Sequence, residues 1–462
     1  MTDARPTPGG TEQAFHPEQV ERFRYLGYDF DPERRVLRCR YALDDLTFEE
    51  LVTFRAEGAA DVDRRAVDPA LRLIFLLAGI SYYKAAAPPI IEVADPGLTP
   101  AERRLLEAFY ADGLGEYAFR NGLDLSGLRI VAPMRAPVTP ERRSTTGRPL
   151  IPFGGGLDSI VTVEGVREGA PDAALFVVSR EGDLFDAIET AAKVTRLPIV
   201  RAERRIDEKI LRSRQLGYRN GHVPVTGILS AIAVAAALLD GRDAVVMSNE
   251  WSASSGNVVH DGRTVNHQWS KTPEFEDLFR AALHEALPTP VEYFSWLRPF
   301  SELWVADHFT HLDEYHLAFR SCNRAFHIDP AQRLDHWCGH CDKCCFIDLI
   351  LAPFLPAARL RAVFDGAEPL GNPDLVDQLR TLTGLSGEIK PFECVGDVDE
   401  CRVATLLAAA REDRADDPVL QQLAVEVGRL IPGALQPHVD RLLRPLGPHR
   451  IPDQHAPADL LD

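Results

Sequence analysis

The apolar positions change period along the chain, and the changes predict its elements before any chemistry is considered. After a polar opening at 1–17, expected to be a disordered leader, RFRYLGYDFD, RVLRCRYAL and LTFEELVTF read as short extended runs. Asp31-Pro32-Glu33 supplies a turn between the first two, so an antiparallel opening is predicted. Residues 71–86, LRLIFLLAGISYYKAA, are long and periodic enough for a helix, and PPIIEVAD follows as a short strand. TPAERRLLEAFYADGLGEYAFRNG then has Thr99 as cap, Pro100 in the first turn and Leu105, Leu106 and Phe109 at helical spacing. These elements predict an N-terminal α+β domain over 18–146, a candidate for substrate binding, that closes in a Pro- and Arg-rich linker at 136–149.

From residue 147 the period alternates. RPLIPFGGGLDSIVTVE reads as strand, glycine turn and helix start, AALFVVS as a buried strand, LFDAIETAAKVTR as a helix and LPIVRAE as a strand. VTGILSAIAVAAALLDG is a nearly all-apolar helix of ordinary globular length, and DAVVMSNEW is the next strand. Strands separated by helices predict an α/β fold with a mostly parallel sheet covered on both faces over 147–345. Ligands of such sheets collect beyond the carboxyl ends of the strands, where the glycine turn and the tip Ser248-Asn249-Glu250 both fall. YFSWLRPFSELWVADHF reads as an amphipathic helix or helix pair whose Trp296, Phe300 and Trp304 belong to the core. A Leu/Ala-rich helical region is expected over 346–445, followed by a tail at 446–462.

Composition narrows the class. The chain has 462 residues, with 51 basic and 69 acidic side chains giving a formal charge of −18. That balance disfavours a nonspecific nucleic-acid binder while leaving room for a local basic pocket. No stretch is read as an uninterrupted apolar membrane span, and the polar start lacks the pattern of a signal peptide. A cytoplasmic protein without membrane insertion is expected. Its eight cysteines fit metal binding or reduced thiols better than a secreted disulfide framework.

The candidate chemistry gathers at the strand ends. Gly154, Gly155 and Gly156 permit a tight turn with space for a bulky anion, and the N–H groups of the following helix face it. Asp158 and Ser159 can cap that helix or lie near a phosphate and its metal. In the polar stretch SNEWSASSGN…NHQWSKTPEFEDLFR, Glu250 is the best carboxylate for Mg²⁺ and Lys271 the best cation for a triphosphate or a developing charge. Arg142, Arg143 and Arg148, just before the glycine turn, can meet a phosphate-bearing substrate or remain solvated. Cys322, Cys338, Cys341 and Cys344 can enclose structural Zn²⁺, with His336 and His340 as alternative ligands. A metal-free thiol cluster or an iron–sulfur cluster fits the same spacing. Cys394 and Cys401 are too isolated for a disulfide.

Two resemblances attach to these residues. FGGGLDS resembles the SGGxDS loop of the ATP-pyrophosphatase (PP-loop) superfamily, with Phe153 where serine usually stands. YLGYDFDPERRVLRCRYAL, PFGGGLDSIVTVE, SNEWSASSGN, NHQWSKTPEFEDLF and HWCGHCDKCCF together resemble the UDP-N-acetyl-α-D-muramoyl-L-alanyl-L-glutamate epimerase (MurL) family of peptidoglycan precursor synthesis, over about residues 20–440. The resemblance implies a PP-loop ATP-binding domain over 147–345. It also implies inversion of the terminal L-glutamate of a UDP-linked muramoyl dipeptide, using ATP and Mg²⁺ and releasing AMP and pyrophosphate through an acyl-adenylate. Phe153, Gly154, Gly155, Gly156, Asp158 and Ser159 match the nucleotide loop, with Asn249 and Glu250 placed beside it. His267, Lys271 and Cys322 are candidates from chemistry for the inverting base, with His267 preferred; a zinc role for Cys322 conflicts with a base role. An amidating or thiolating enzyme of the same loop, and a non-enzymatic scaffold, are the alternatives.

Overall fold

The computed structural model describes residues 15–55, 63–140, 147–260, 262–327, 329–457 and 460. In chain order its strands are β1 (Arg22–Asp31), β2 (Val36–Leu43), β3 (Leu46–Arg55), β4 (Ile90–Val93), β5 (Arg129–Val131), β6 (Pro149–Pro152), β7 (Ala174–Ser179), β8 (Ile199–Arg205), β9 (Ala244–Met247), β10 (Val258–His260), β11 (Arg263–Val265) and β12 (Glu292–Ser295). Among the described residues, ten of these form one sheet in the order β12-β9-β6-β7-β8-β3-β2-β1-β4-β5, and β10 and β11 form a separate ribbon. From β12 to β8 every neighbour is parallel, whereas β8-β3-β2-β1 is antiparallel.

The antiparallel opening and the parallel alternation are thus both present, but they share a sheet. Strands from either side of the 136–149 linker meet where β3 pairs with β8, Leu51 opposite Arg205. A buried network closes this junction. Arg204 donates to both oxygens of Glu50 at 2.6 and 3.1 Å and to Ser81 Oγ at 3.0 Å, and the Tyr82 hydroxyl donates to the same carboxylate at 2.9 Å.

Strand side chains alternate between two apolar cores, as the two-residue period of a strand requires. Leu150, Phe176, Val245 and Tyr293 face the first, which holds the helices Arg64–Ala78, Pro100–Ala111, Val225–Leu239 and Pro273–Ala286. Ile151, Leu175, Val246 and Phe294 face the second, with the helices Leu157–Arg167, Asp186–Thr195, Glu302–Thr310 and the C-terminal helices from Asp342–Leu351 onward. The helices after β6 and β7 lie on one face and those before β9 and β12 on the other. The winding direction therefore reverses between adjacent β6 and β9, which is the topological switch point of a doubly wound sheet.

Three expectations change. The helix placed at 71–86 begins earlier, at Arg64, where Asp63 caps it by accepting from Arg65 N at 3.0 Å. The run Arg64–Tyr83 has the length and apolarity of a membrane span, contrary to the reading that no stretch does; 83% of its apolar window is buried inside the protein. Its Arg72 is buried and paired with Glu102 at 3.0 Å. YFSW is strand β12 rather than helix, and the helix starts only at Glu302, where Ser301 Oγ accepts from Trp304 N at 3.0 Å. Four residues are too few to separate a buried strand from buried helix by periodicity.

Candidate functional site

The loop after β6 begins with Phe153, whose N–H donates to Phe176 O at 2.9 Å and so prolongs the strand pairing. The Phe153 ring is buried in the second core, so Phe153 contributes its backbone to the loop. Gly154 is exposed. Gly155 has φ +75°, and a Cβ there would stand 2.6 Å from Ala187 O, so this turn admits only glycine. Gly156 precedes the helix Leu157–Arg167, and no side chain caps that helix. Asp158 is therefore not the cap. Ser159 Oγ donates back to Gly156 O at 2.9 Å, and Arg320 N donates to Gly155 O at 3.2 Å. The uncapped N–H groups remain available to an anion.

Freed from capping, Asp158 meets Glu250 from the tip after β9 and Glu302 from the helix after β12. One oxygen of each lies within 4.8 Å of the others. Asp158 Oδ1, Glu250 Oε2 and Glu302 Oε2 are buried without a hydrogen-bond partner. Burial, and then the charge of Glu250, push Asp158 up to about 6. Burial followed by Asp158 and Glu250 raises Glu302 well above the carboxylate range. Three buried carboxylates with spare lone pairs suit a hard cation held by oxygen ligands. Ser248 Oγ, Ser321 Oγ and Arg320 Nε are likewise buried and unpartnered. Ser321 flanks the loop, its Cβ 3.5 Å from where a Gly156 Cβ would be. A cluster of orphaned acceptors next to an uncapped helix start fits a metal-bound polyphosphate.

Buried Arg298 organises this floor. It donates to Glu276 Oε2 at 3.0 Å, to Glu250 O at 3.2 Å and to Lys271 O at 2.7 Å, fixing the backbone under two candidate groups. Asn249 is fixed by Ser295, which accepts from its N–H at 2.6 Å and donates to its carbonyl at 2.7 Å. Lys271 Nζ donates to Gln268 Oε1 at 3.0 Å and to Cys394 Sγ at 3.5 Å. Burial works against the Lys271 charge, but Cys394, Glu250 and Asp158 together raise its pKa.

His267 does not face open space. Its Nδ1 lies 2.5 Å from Glu116 Oε2, Cys394 also acts on its charge, and His222 packs on it with ring centroids 4.1 Å apart. Burial opposes its charge, yet Cys394 and Glu116 raise it to about 9. Burial, then the neighbouring His267, lower His222 to about 4.

Cys322, Cys338, Cys341 and Cys344 converge, with one sulfur of each within 4.8 Å of the others; Cys344 Sγ is 3.6 Å from Cys338 Sγ and 3.5 Å from Cys341 Sγ. This is the donor set of a tetrahedral Zn²⁺ site. Exposed His336 and His340 bond instead to Asp335 and to Cys338 O. Cys322, the residue after Ser321, ties the cluster to the segment that flanks the glycine loop.

Other candidates fall elsewhere. Arg148 stands at the opposite end of β6 from the glycine loop, its N–H on Asp243 at 3.1 Å and its guanidinium on Gly241 O at 3.2 Å, so it does not serve a phosphate there. Arg142 and Arg143 lie outside the described residues. Trp296, Phe300 and Trp304 are buried core, the last two stacked at 3.7 Å. Sequence reasoning missed Glu302, Arg298, Glu116 and Cys394. Glu302 looks like an ordinary first-turn carboxylate, and only its position just beyond a strand, once β12 is recognised, would have marked it.

The family description "MurL N-terminal domain" matches residues 14–296 and "MurL C-terminal domain" matches 318–436. No solved structure is significantly similar. The chain is 37% identical over 451 residues to a UDP-N-acetyl-alpha-D-muramoyl-L-alanyl-L-glutamate epimerase of Xanthomonas oryzae pv. oryzae, covering 95% of this chain and 97% of that one. Proteins of the same name from Salinispora tropica and a Micromonospora species are 40% identical over 88% of both chains, and 38% identical over 95% of this chain and 98% of the relative. Matches of this extent, in both halves of the molecule, place the chain in the MurL family.

Proposed function

We propose that the protein inverts the α-carbon of the terminal L-glutamate of UDP-N-acetylmuramoyl-L-alanyl-L-glutamate, consuming ATP to activate the glutamyl carboxyl as an acyl-adenylate and releasing AMP and pyrophosphate. The observation that carries this reading is the cluster of orphaned carboxylate oxygens at the switch point, in a chain whose relatives bear that name. A PP-loop type of nucleotide domain is the corresponding reading of the glycine turn.

A carboxylate is a poor place to acidify a neighbouring C–H, because the carbanion would lie beside a full negative charge. An acyl-adenylate removes that charge and lets the carbonyl oxygen take up the electron pair. In this chain Gly154, Gly155 and Gly156 leave space for the phosphates, and the uncapped helix N-terminus with Arg320, Ser321 and Ser248 donates to them. Asp158, Glu250 and Glu302 would hold Mg²⁺, which when bound supplies charge neutralisation for the triphosphate. Lys271 sets a positive charge between these carboxylates and the thiol of Cys394. The four cysteines would hold structural Zn²⁺, bracing the C-terminal helices against the glycine-loop side.

The test runs the purified protein with ATP, Mg²⁺ and the UDP-linked dipeptide in D₂O. Substrate-dependent pyrophosphate with deuterium at the glutamyl Cα and a D-configured product is expected. Pyrophosphate without the Cα label, rising on addition of ammonia or a thiol donor, would replace the reading with an amidating or thiolating enzyme. Zinc is checked separately: elemental analysis should return one zinc per chain, lost together with thermal stability in Cys341→Ser, and a stable metal-free wild type would remove that role.

A further inference from the structure

Inversion needs a base at Cα, and the geometry points to the thiolate of Cys394 as the group that takes the proton, with His267 and Glu116 as positioning residues behind it. The assignment rests on the epimerase reading above. His267 Nδ1 is taken up by Glu116, and Cys394 is the other group that acts on the charge of its ring. What this dyad can reach is the sulfur. Lys271 approaches the same sulfur to 3.5 Å from the side of Asp158 and Glu250, which places the thiol next to the activating centre.

Three chain segments far apart in sequence are pinned to make this contact: the helix Gly115–Asn121, the loop at 266–271 and the loop at 390–397. The last is held by Lys343, which donates to Cys394 O, and by Asn257, whose Nδ2 donates to Pro391 O at 2.7 Å. A buried cysteine usually behaves as a small apolar residue with a raised pKa. Cys39 and Cys401 do so, pushed up by burial. Cys394 is only partly buried, and although burial pushes it up, Lys271 and then His267 bring it down to about 7. Two cations converge on this sulfur, and a core thiol needs none.

The step balances without a further redox partner. The Cα–H bond breaks, its proton passes to Cys394 Sγ, and the electron pair enters the enolate of the activated acyl group. A water on the opposite face returns a proton to Cα, and the hydroxide so formed is neutralised by the proton that Cys394 gives back. Lys271 is too close to the sulfur to serve the opposite face. It holds the thiolate charge.

The test compares wild type with Cys394→Ser, both confirmed folded by thermal melting. Two readouts are taken: substrate-dependent exchange of labelled pyrophosphate into ATP, and deuterium entry at the glutamyl Cα in D₂O. The variant is expected to keep the pyrophosphate exchange and to lose Cα exchange by about 10²–10⁴-fold, the usual weight of a positioned general base. In wild type, iodoacetamide should alkylate Cys394, with labelling slowed by the dipeptide substrate. Cα exchange within a few-fold of wild type in the variant would overturn the assignment. So would loss of both exchanges together, or a substrate adduct on Cys394 in intact-protein mass spectra, which would make the sulfur a nucleophile. A wild type that shows neither exchange would instead sink the epimerase reading on which the assignment rests.

Discussion

Glu50 and the trio Asp158, Glu250 and Glu302 are all buried or partly buried carboxylates in one sheet-based fold, and they differ in what their oxygens touch. Both oxygens of Glu50 are taken, by Arg204 and Tyr82, in a network that includes Ser81. Each carboxylate of the trio keeps an oxygen with no partner, although all three are crowded together. A buried charge is tolerated when its lone pairs are satisfied. Glu50 meets that condition from within the chain and so serves structure. The trio keeps lone pairs open to something that arrives.

The comparison breaks most visibly at the closed network. Arg204→Met strands the Glu50 charge in the core and should cost about 3–5 kcal/mol in urea denaturation, whereas Glu50→Leu combined with Arg204→Met should recover most of that loss. If the single variant is as stable as wild type, the junction between β3 and β8 is not held by this pair. At the open cluster the expectation reverses. Asp158→Asn should lower substrate-dependent pyrophosphate release about 10²–10³-fold, the range seen when one preorganised electrostatic contact is lost. Its melting temperature should be unchanged or higher, because the variant relieves crowding of like charge. A large loss of stability with near-normal turnover would place Asp158 with Glu50 among the structural groups.

The smallest effect lies between these cases, at a pair that is satisfied but titrates. The His267 pKa is raised from 6.5 to about 9, so its stabilisation is complete below pH 6.5 and is lost as pH rises through 9. Relative to His267→Gln, wild type should lose at most about 3 kcal/mol between those limits in parallel urea titrations. A stability difference that does not change with pH would mean that the imidazole is neutral against Glu116 and Cys394.

Much of this was legible from local pattern. The alternation of β6 to β9 with helices, the glycine turn, the Glu250 tip and the four-cysteine set are all carried by short stretches whose period or spacing is distinctive. The Thr99 cap, accepting from Glu102 N at 3.2 Å, was equally plain. What escaped was assembled across the sheet. Glu302 joins Asp158 only because β12 lies beside β9, and a four-residue strand has too few positions to announce itself. Cys394 stands in a loop with no period, and what distinguishes it is the arrival of Lys271 and His267 from elsewhere in the chain. Arg148 misled for the converse reason: proximity to the glycine turn in sequence places it a full strand length away in space. Phe153 occupies the position of a polar loop residue, yet its side chain follows the strand alternation into the core.

The seam between β3 and β8 also sets an order of events during synthesis. Glu50 and Arg204 are 154 residues apart in the chain, so the first three strands leave the ribosome with the outer edge of β3 unpaired. That edge waits until the whole of β6, β7 and β8 has been made, and pairing across so long a loop is slow. An unpaired edge is a template for other chains. Any truncation that ends before β8 leaves it open for good, and fragments of the N-terminal third should therefore aggregate where the full chain closes its own sheet.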